Sequence, residues 1–159
     1  MPRTRVYVDT SVFGGVNDEE FAEPTQRFFD RVRKGHFVLL ISRETTRELG
    51  AAPQTVQAAL SSLPDGTLES VPVDEAVRAL AHAYLDAGII GRASEADAIH
   101  VAAATVARAD LVLSWNFRHL VRYENIRKFN GVNAIRGYGT IDIRSPLEVG
   151  YVDDEEKDL

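Results

Sequence analysis

The sequence predicts an α/β protein, a three-layer α/β/α sandwich with a mostly parallel central sheet. Three observations carry that expectation. Short apolar runs, VYV at 6–8, FVLLI at 37–41 and LVL at 111–113, are separated by longer segments whose apolar residues recur at helical spacing. The run FVLLI is apolar throughout, as a strand covered on both faces requires, whereas a half-solvated strand alternates. Strands separated by helices pair in parallel through right-handed crossovers.

Taken in order, RVYVD at 5–9 reads as the first strand. EPTQRFFDRVRKG at 23–35 reads as a helix that stops on its glycine. HFVLLIS at 36–42 is the second, doubly covered strand. RETTRELG at 43–50 is a helix, and after Pro53 a second one follows in QTVQAALSSL, 54–63. PDG is a turn signal, so TLESVPV at 67–73 becomes a short strand. DEAVRALAHAYLDAG at 74–88 is helical up to Gly88. The alanine-rich SEADAIHVAAATVARA at 94–109 is a helix that opens on a capping signal. DLVLSWN at 110–116 is the next strand, YENIRKFNGVNAI at 123–135 a helix, and GTIDIRSP at 139–146 a weak last strand.

Composition narrows the class. With 159 residues, 45% of them hydrophobic, the chain has the size of one domain with a substantial core. We expect a single domain over 1–150 and an acidic C-terminal tail at 151–159. The absence of cysteine excludes disulfides, thiolate metal sites and a cysteine nucleophile. No signal-like apolar segment opens the sequence and no run is long enough to span a bilayer, so the expected location is the cytoplasm, without a membrane partner. The net charge of −6 excludes a globally basic nucleic-acid binder, but the ending DDEEKDL carries five of the acids against one lysine. Elsewhere Arg118, Arg122, Arg127 and Lys128 gather around His119, and Arg43 and Arg47 form a second local group. Basic strips are compatible with that distribution.

Four polar residues stand where such a fold does chemistry. In open α/β sheets functional groups collect at the carboxyl ends of strands. Asp9 and Asn116 end two predicted strands, while Glu48 and Asp97 lie on helices near strand ends. If the strands of Asp9 and Asn116 are neighbours, all four side chains converge on one cleft. Crowded carboxylates raise one another's pKa unless a cation neutralises them. Mg²⁺ or Mn²⁺, hard ions that prefer oxygen, are the simplest occupants.

In that order, the segments VYVDTSV, ISRETTREL, EADAIHVAAA and LVLSWNF resemble the PIN-domain family and, within it, the VapC-like toxin ribonucleases of toxin–antitoxin systems. The resemblance runs over roughly residues 5–145. It implies a PIN-like sandwich and a Mg²⁺- or Mn²⁺-dependent endoribonuclease, a hydrolase of phosphodiester bonds. Asp9, Glu48 and Asp97 match three family acids, which implies catalytic and metal-binding roles for them. The fourth family position is commonly Asp, and here it is Asn116, implied to orient a water or to offer its amide oxygen to the metal. The implied partners are an RNA substrate, an antitoxin protein and a second copy of the chain.

Each residue also has a plainer reading. Asp9 is placed to cap a helix, as are Thr10 and Ser11, and Ser11 is equally placed to support the carboxylate. Glu44 and Glu48 share a helix face, so the spacing leaves both open as ligands. In SEAD, Ser94 and Asp97 form a capping box, a role that competes with metal binding for the same oxygens. His100, three residues after Asp97, reads as a surface residue or a supporting group. His119 and Arg118 read as solvated surface within reach of a substrate phosphate. Other enzyme classes fail on particular residues: Ser11 stands where a haloacid-dehalogenase-type phosphatase needs a second Asp, and no dinucleotide fingerprint, phosphate-binding loop or G-x-S-x-G elbow is present. The alternative from a different class is a catalytically weak or inactive RNA- or partner-binding module, because Asn116 removes one negative charge from a site that needs charge to hold a cation.

Overall fold

The computed structural model describes residues 3–149; the acidic tail expected at 151–159 lies outside the described residues. Five strands, β1 (Thr4–Val8), β2 (Phe37–Ser42), β3 (Leu68–Val71), β4 (Leu111–Leu113) and β5 (Ile143–Arg144), form one sheet in the order β3-β2-β1-β4-β5. Every neighbouring pair is parallel. The helices are α1 (Thr10–Gly14), α2 (Ala22–Arg33), α3 (Arg43–Gly50), α4 (Gln54–Ser61), α5 (Glu75–Asp86), α6 (Glu95–Val106), α7 (Tyr123–Ile135) and α8 (Pro146–Val149). Among the described residues none is long and apolar enough to cross a membrane.

The three layers follow from the two-residue period of the strands. Val6, Val8, Leu39, Ile41 and Leu113 point to one face, where they bury against Phe28, Phe29 and Val32 of α2 and Val56 of α4. Tyr7, Leu40, Val112 and Ile143 point to the other, against Leu80 and Tyr84 of α5, Val101 and Ala102 of α6 and Phe129 of α7. Each fully buried aliphatic or aromatic side chain contributes about 1.5–3 kcal/mol, which fixes the register, since a one-residue slip would exchange the two faces. That register sets β1 between β2 and β4, with Tyr7 opposite Leu40 and Val8 opposite Leu113. The strand leading to Asp9 therefore lies beside the one leading to Asn116.

The structure departs from the sequence expectations in four places. The segment behind Asp9 folds into α1 and a 3-10 turn, Gly15–Asn17, elements too short to show a helical period. The strand expected to reach Asn116 ends at Leu113: Ser114 N–H still bonds the Arg144 carbonyl at 3.0 Å, but the two donors after it turn to hydroxyls, Trp115 N–H to Ser11 Oγ at 2.9 Å and Asn116 N–H to Ser114 Oγ at 2.9 Å. Asn116 thus sits in the loop after β4, and its carbonyl accepts the N–H groups of Leu120 and Val121. The capping box of SEAD does not form. Ser94 makes no side-chain cap, and Asp97 is drawn instead to partners on the β4–α7 loop. Finally, the last strand is two residues long, and Pro146 opens α8, where its missing N–H costs nothing.

One glycine is required by close approach. A Cβ on Gly15 would stand 2.7 Å from Trp115 Nε1 and closer still to Thr25 Oγ1, and those two atoms hydrogen-bond at 2.9 Å. Gly15→Ala is expected to cost about 1–3 kcal/mol by overpacking and loss of that bond. Urea denaturation checks it; an unchanged midpoint would mean that the turn relaxes freely.

Candidate functional site

Asp9 directly follows β1 and is buried. It occupies the N-cap position of α1 but makes no cap bond with its side chain. Its Oδ2 instead accepts from Ser11 Oγ at 2.8 Å and Ser114 Oγ at 2.6 Å. Because the same two hydroxyls accept the Trp115 and Asn116 N–H groups, they tie the end of β1 to the chain leaving β4. Asp9 Oδ1 faces His100 Nε2 at 3.7 Å.

Glu48 comes from α3, which springs from the end of β2. Its Oε1 accepts from Thr10 Oγ1 at 2.8 Å and pairs with His100 Nε2 at 2.6 Å. Glu44, one turn earlier, pairs with Arg47, whose Nε lies 3.3 Å from Oε2. Of the two glutamates, Glu48 is the one hydrogen-bonded to the groups around Asp9.

Asp97, in the first turn of α6, forms the other half of the site. Its Oδ2 accepts from Asn116 Nδ2 at 3.1 Å and His119 Nδ1 at 3.0 Å. Asn116 Oδ1 in turn accepts the His119 N–H at 2.9 Å. The four residues picked out in the sequence thus gather at the carboxyl ends of β1 and β4 as two hydrogen-bonded groups, and the charges of Asp9 and His100 both act on Asp97.

His100 is fully buried, which removes the surface reading of that residue. One turn along α6 from Asp97, it joins Tyr7 OH through Nδ1 at 2.7 Å, and Tyr7 OH meets Ser42 Oγ at 2.8 Å. Burial opposes a charge on the ring, but the Tyr7 oxygen and the Glu48 and Asp9 carboxylates outweigh it and lift the pKa to about 10. Both ring nitrogens then donate, Nε2–H to Glu48 and Nδ1–H to Tyr7. Burial alone would push the Glu48 carboxyl up; the His100 bond and charge, with the Thr10 bond, hold it below its ordinary value. Burial pushes Asp97 up, Asp9 adds to the shift, and His119 only partly offsets it. His119 is half-buried against Asp97, not solvated surface as expected.

These shifts set the pH dependence of stability without divalent ions. His100, raised from 6.5 to about 10, contributes stability that is complete below pH 6.5 and lost as the pH rises through about 10. Glu48, lowered from 4.5, contributes stability present above pH 4.5 and lost as the pH falls through its depressed value. Asp97, raised from 3.8, acts in the opposite sense: its contribution is complete below 3.8 and is lost as the pH climbs through the raised value. Melting in EDTA is expected to weaken between pH 6.5 and 10, with that limb flattened in His100→Asn. Equal limbs in both proteins would refute the buried ion pair.

The donor chemistry fits a hard divalent cation. Among the described residues, Asp9 Oδ1, Glu48 Oε2 and Asp97 Oδ1 accept no hydrogen bond, so each carboxylate has one oxygen held by hydrogen bonds and the other without one, that of Asp9 lying in the longer ion pair with His100 Nε2 at 3.7 Å. The arrangement is nevertheless open: among the described residues no three His, Cys, Asp or Glu side chains form a group able to hold a metal ion as they stand.

Comparison with known proteins bears on the fold. A chain of the crystal structure of VapBC2 from Rickettsia felis bound to a DNA fragment from their promoter superimposes with a TM-score of 0.56. This chain is similar in fold. The match spans 89% of the present chain and 98% of that one, at 13% sequence identity. No protein-family model and no curated protein matches the sequence.

Sequence reasoning placed Ser11 to support Asp9 and gave His100 a supporting role among its readings, and both hold acids here, but it missed Thr10, Ser114 and His119 in that role. The spacing of His100 from Asp97 was visible, but its burial depends on α6 packing over Tyr7, which no local pattern reports. Ser114 and Thr10 carry no signal beyond their position next to other site residues.

Proposed function

We propose that the chain is a metal-dependent endoribonuclease of the PIN type, working in the cytoplasm as the toxin of a toxin–antitoxin pair. The observation that carries this reading is the set of three carboxylates, from three separate segments, each with one oxygen that accepts no hydrogen bond, at the carboxyl ends of two adjacent parallel strands. The fold likeness to a chain of a VapBC2 structure supports the toxin–antitoxin setting. An antitoxin protein and a second copy of the chain are the partners this reading adds, and single-stranded or looped RNA is its substrate, since there phosphates and bases are accessible.

In this reading Mg²⁺ or Mn²⁺ is held by Asp9, Glu48 and Asp97, with Asn116 beside them. Such an ion supplies Lewis-acid polarisation of a phosphoryl oxygen and acidifies water. The rest of the work falls to the chain. Ser11 and Ser114 hold Asp9 Oδ2 and so aim Oδ1; Thr10 and His100 do the same for Glu48, and Asn116 and His119 for Asp97. Preset orientation of this kind lowers the reorganisation needed at the reacting phosphate.

The test is incubation of the purified protein with labelled single-stranded and hairpin RNAs, with Mg²⁺, with Mn²⁺ or with EDTA. Fragments are expected only with the ions. Absence of cleavage under every condition would overturn the nuclease reading. A second reading, a binding module without useful catalysis, draws on Asn116 and on His100, whose charge already offsets the Glu48 carboxylate. Thermal melting separates the two, because an ion that binds only the folded state raises the melting temperature. Asn116→Asp is expected to lower stability in EDTA, by setting a carboxylate against Asp97, and to tighten Mg²⁺ binding by about tenfold in calorimetry. If affinity is unchanged, Asn116 does not contribute to a cation site.

A further inference from the structure

Beside the Asp97 half of the site a cleft of about 450 Å³ opens, within the size range of small-ligand pockets. Three arginines line it, Arg92, Arg118 and Arg122, over an apolar floor that includes Ile89 and Ile90, and His119 forms the wall shared with Asp97. Three cations over a low-dielectric floor focus a positive field in a protein whose net charge is −6.

The arginines are available to a ligand. Among the described residues Arg118 is exposed and makes no hydrogen bond or ion pair. Arg92 pairs with Asp86 at 2.9 Å with both side chains 69% exposed, and Arg122 pairs with Glu124 at 3.1 Å at 53% and 67%. Exposed pairs of this kind hold their partners weakly, so an incoming phosphate competes with them. Guanidinium groups match phosphate oxygens two at a time. An anion that bridged this cleft and the acid cluster would need to present repeated phosphates to unlike surroundings, which describes a nucleic-acid backbone better than an acidic peptide.

We propose that this cleft binds phosphates of the RNA strand adjacent to the one cleaved, with Arg118 as the principal contact and Arg122 and Arg92 beside it. The inference rests on the nuclease reading for the identity of the strand. It gives the substrate a direction away from the acids, along the β4–α7 loop.

The experiment is fluorescence anisotropy of a labelled single-stranded RNA in EDTA, where metal binding and cleavage do not contribute. The wild type is compared with Arg118→Ala, Arg118→Glu, Arg118→Ala/Arg122→Ala and the control Arg33→Ala, whose arginine sits on α2 and pairs with Asp30. Circular dichroism confirms folding, which the exposed positions of Arg118 and Arg122 are expected to leave intact. Loss of Arg118 should weaken binding by about tenfold, Arg118→Glu by more, and Arg33→Ala should not matter. The slope of log affinity against log salt should flatten by about 0.7 for each arginine removed. If the Arg118 and Arg122 variants bind as tightly as wild type, the cleft proposal falls while the nuclease reading stands. If the wild type binds no RNA, both fall. RNA binding that depends on Arg118 without cleavage under any ion would retain the cleft and overturn only the nuclease. An oligoglutamate that competes as strongly as RNA would assign the cleft to an acidic protein and overturn the proposal.

Discussion

Replacing His100 with alanine is expected to destabilise the protein by about 3–5 kcal/mol, the cost of removing one partner from a buried ion pair. For a chain of this length that corresponds to a melting temperature lower by roughly 6–20 °C. The size follows from the position of the ring. His100 is fully buried, and its two nitrogens serve Tyr7 and Glu48 at 2.7 and 2.6 Å, with Asp9 at 3.7 Å. Removing it leaves a void, strands the Tyr7 hydroxyl with Ser42 as its remaining partner, and takes the counter-charge from two carboxylates. Asp9→Asn in the His100→Ala background should recover part of the loss, because it removes one of the uncompensated charges. Denaturant unfolding of the three proteins checks both statements. A loss under about 1 kcal/mol would show that the ring is not charged in the folded state.

Asp9→Asn alone should leave the fold standing and reduce cleavage by about a thousandfold, the upper range for loss of one electrostatic group at a reacting centre. The asparagine amide oxygen can still accept the bonds that Ser11 and Ser114 donate at 2.8 and 2.6 Å. What disappears is a negative charge, and with it the anionic oxygen offered to a cation. The metal-free protein loses some attraction to His100 and gains relief of repulsion with Asp97, so its stability should change by less than about 1 kcal/mol. Calorimetric Mn²⁺ titration run beside the cleavage assay keeps the two effects apart. Unchanged cleavage would mean that the chemistry lies elsewhere, and collapse of the fold would make Asp9 a structural residue.

The sheet was legible from the sequence because its signal is local and strong. FVLLIS needs cover on both faces, and only a buried strand provides it. The long helices announced themselves through period and through Gly35 and Gly88, which stand at positive φ just past α2 and α5. The brief elements were not legible. α1 holds five residues, and nothing in TSVFG separates a helical turn from a loop. The same limit applied to the site. Asp9, Glu48, Asp97 and Asn116 could be picked by type and place, whereas the choice of Glu48 over Glu44 depends on a partner 52 residues away, His100. SEAD misled for a related reason: a box that satisfies every local rule loses its carboxylate to Asn116 and His119, a competitor on another segment.

Trp115 is the sole tryptophan of the chain. It lies stacked on Phe21, ring centres 4.0 Å apart and planes within 14°, and its indole N–H is held by Thr25. Its backbone is bonded to Ser11, the hydroxyl that also binds Asp9, and its neighbour in sequence is Asn116. The protein therefore carries an intrinsic fluorophore one residue from its acid cluster, fixed in orientation and shielded from solvent. Shifts in its emission on adding a divalent ion or RNA to unlabelled protein report on the seam where β1 and β4 meet, and excitation that spares the tyrosines isolates that signal from the rest of the fold.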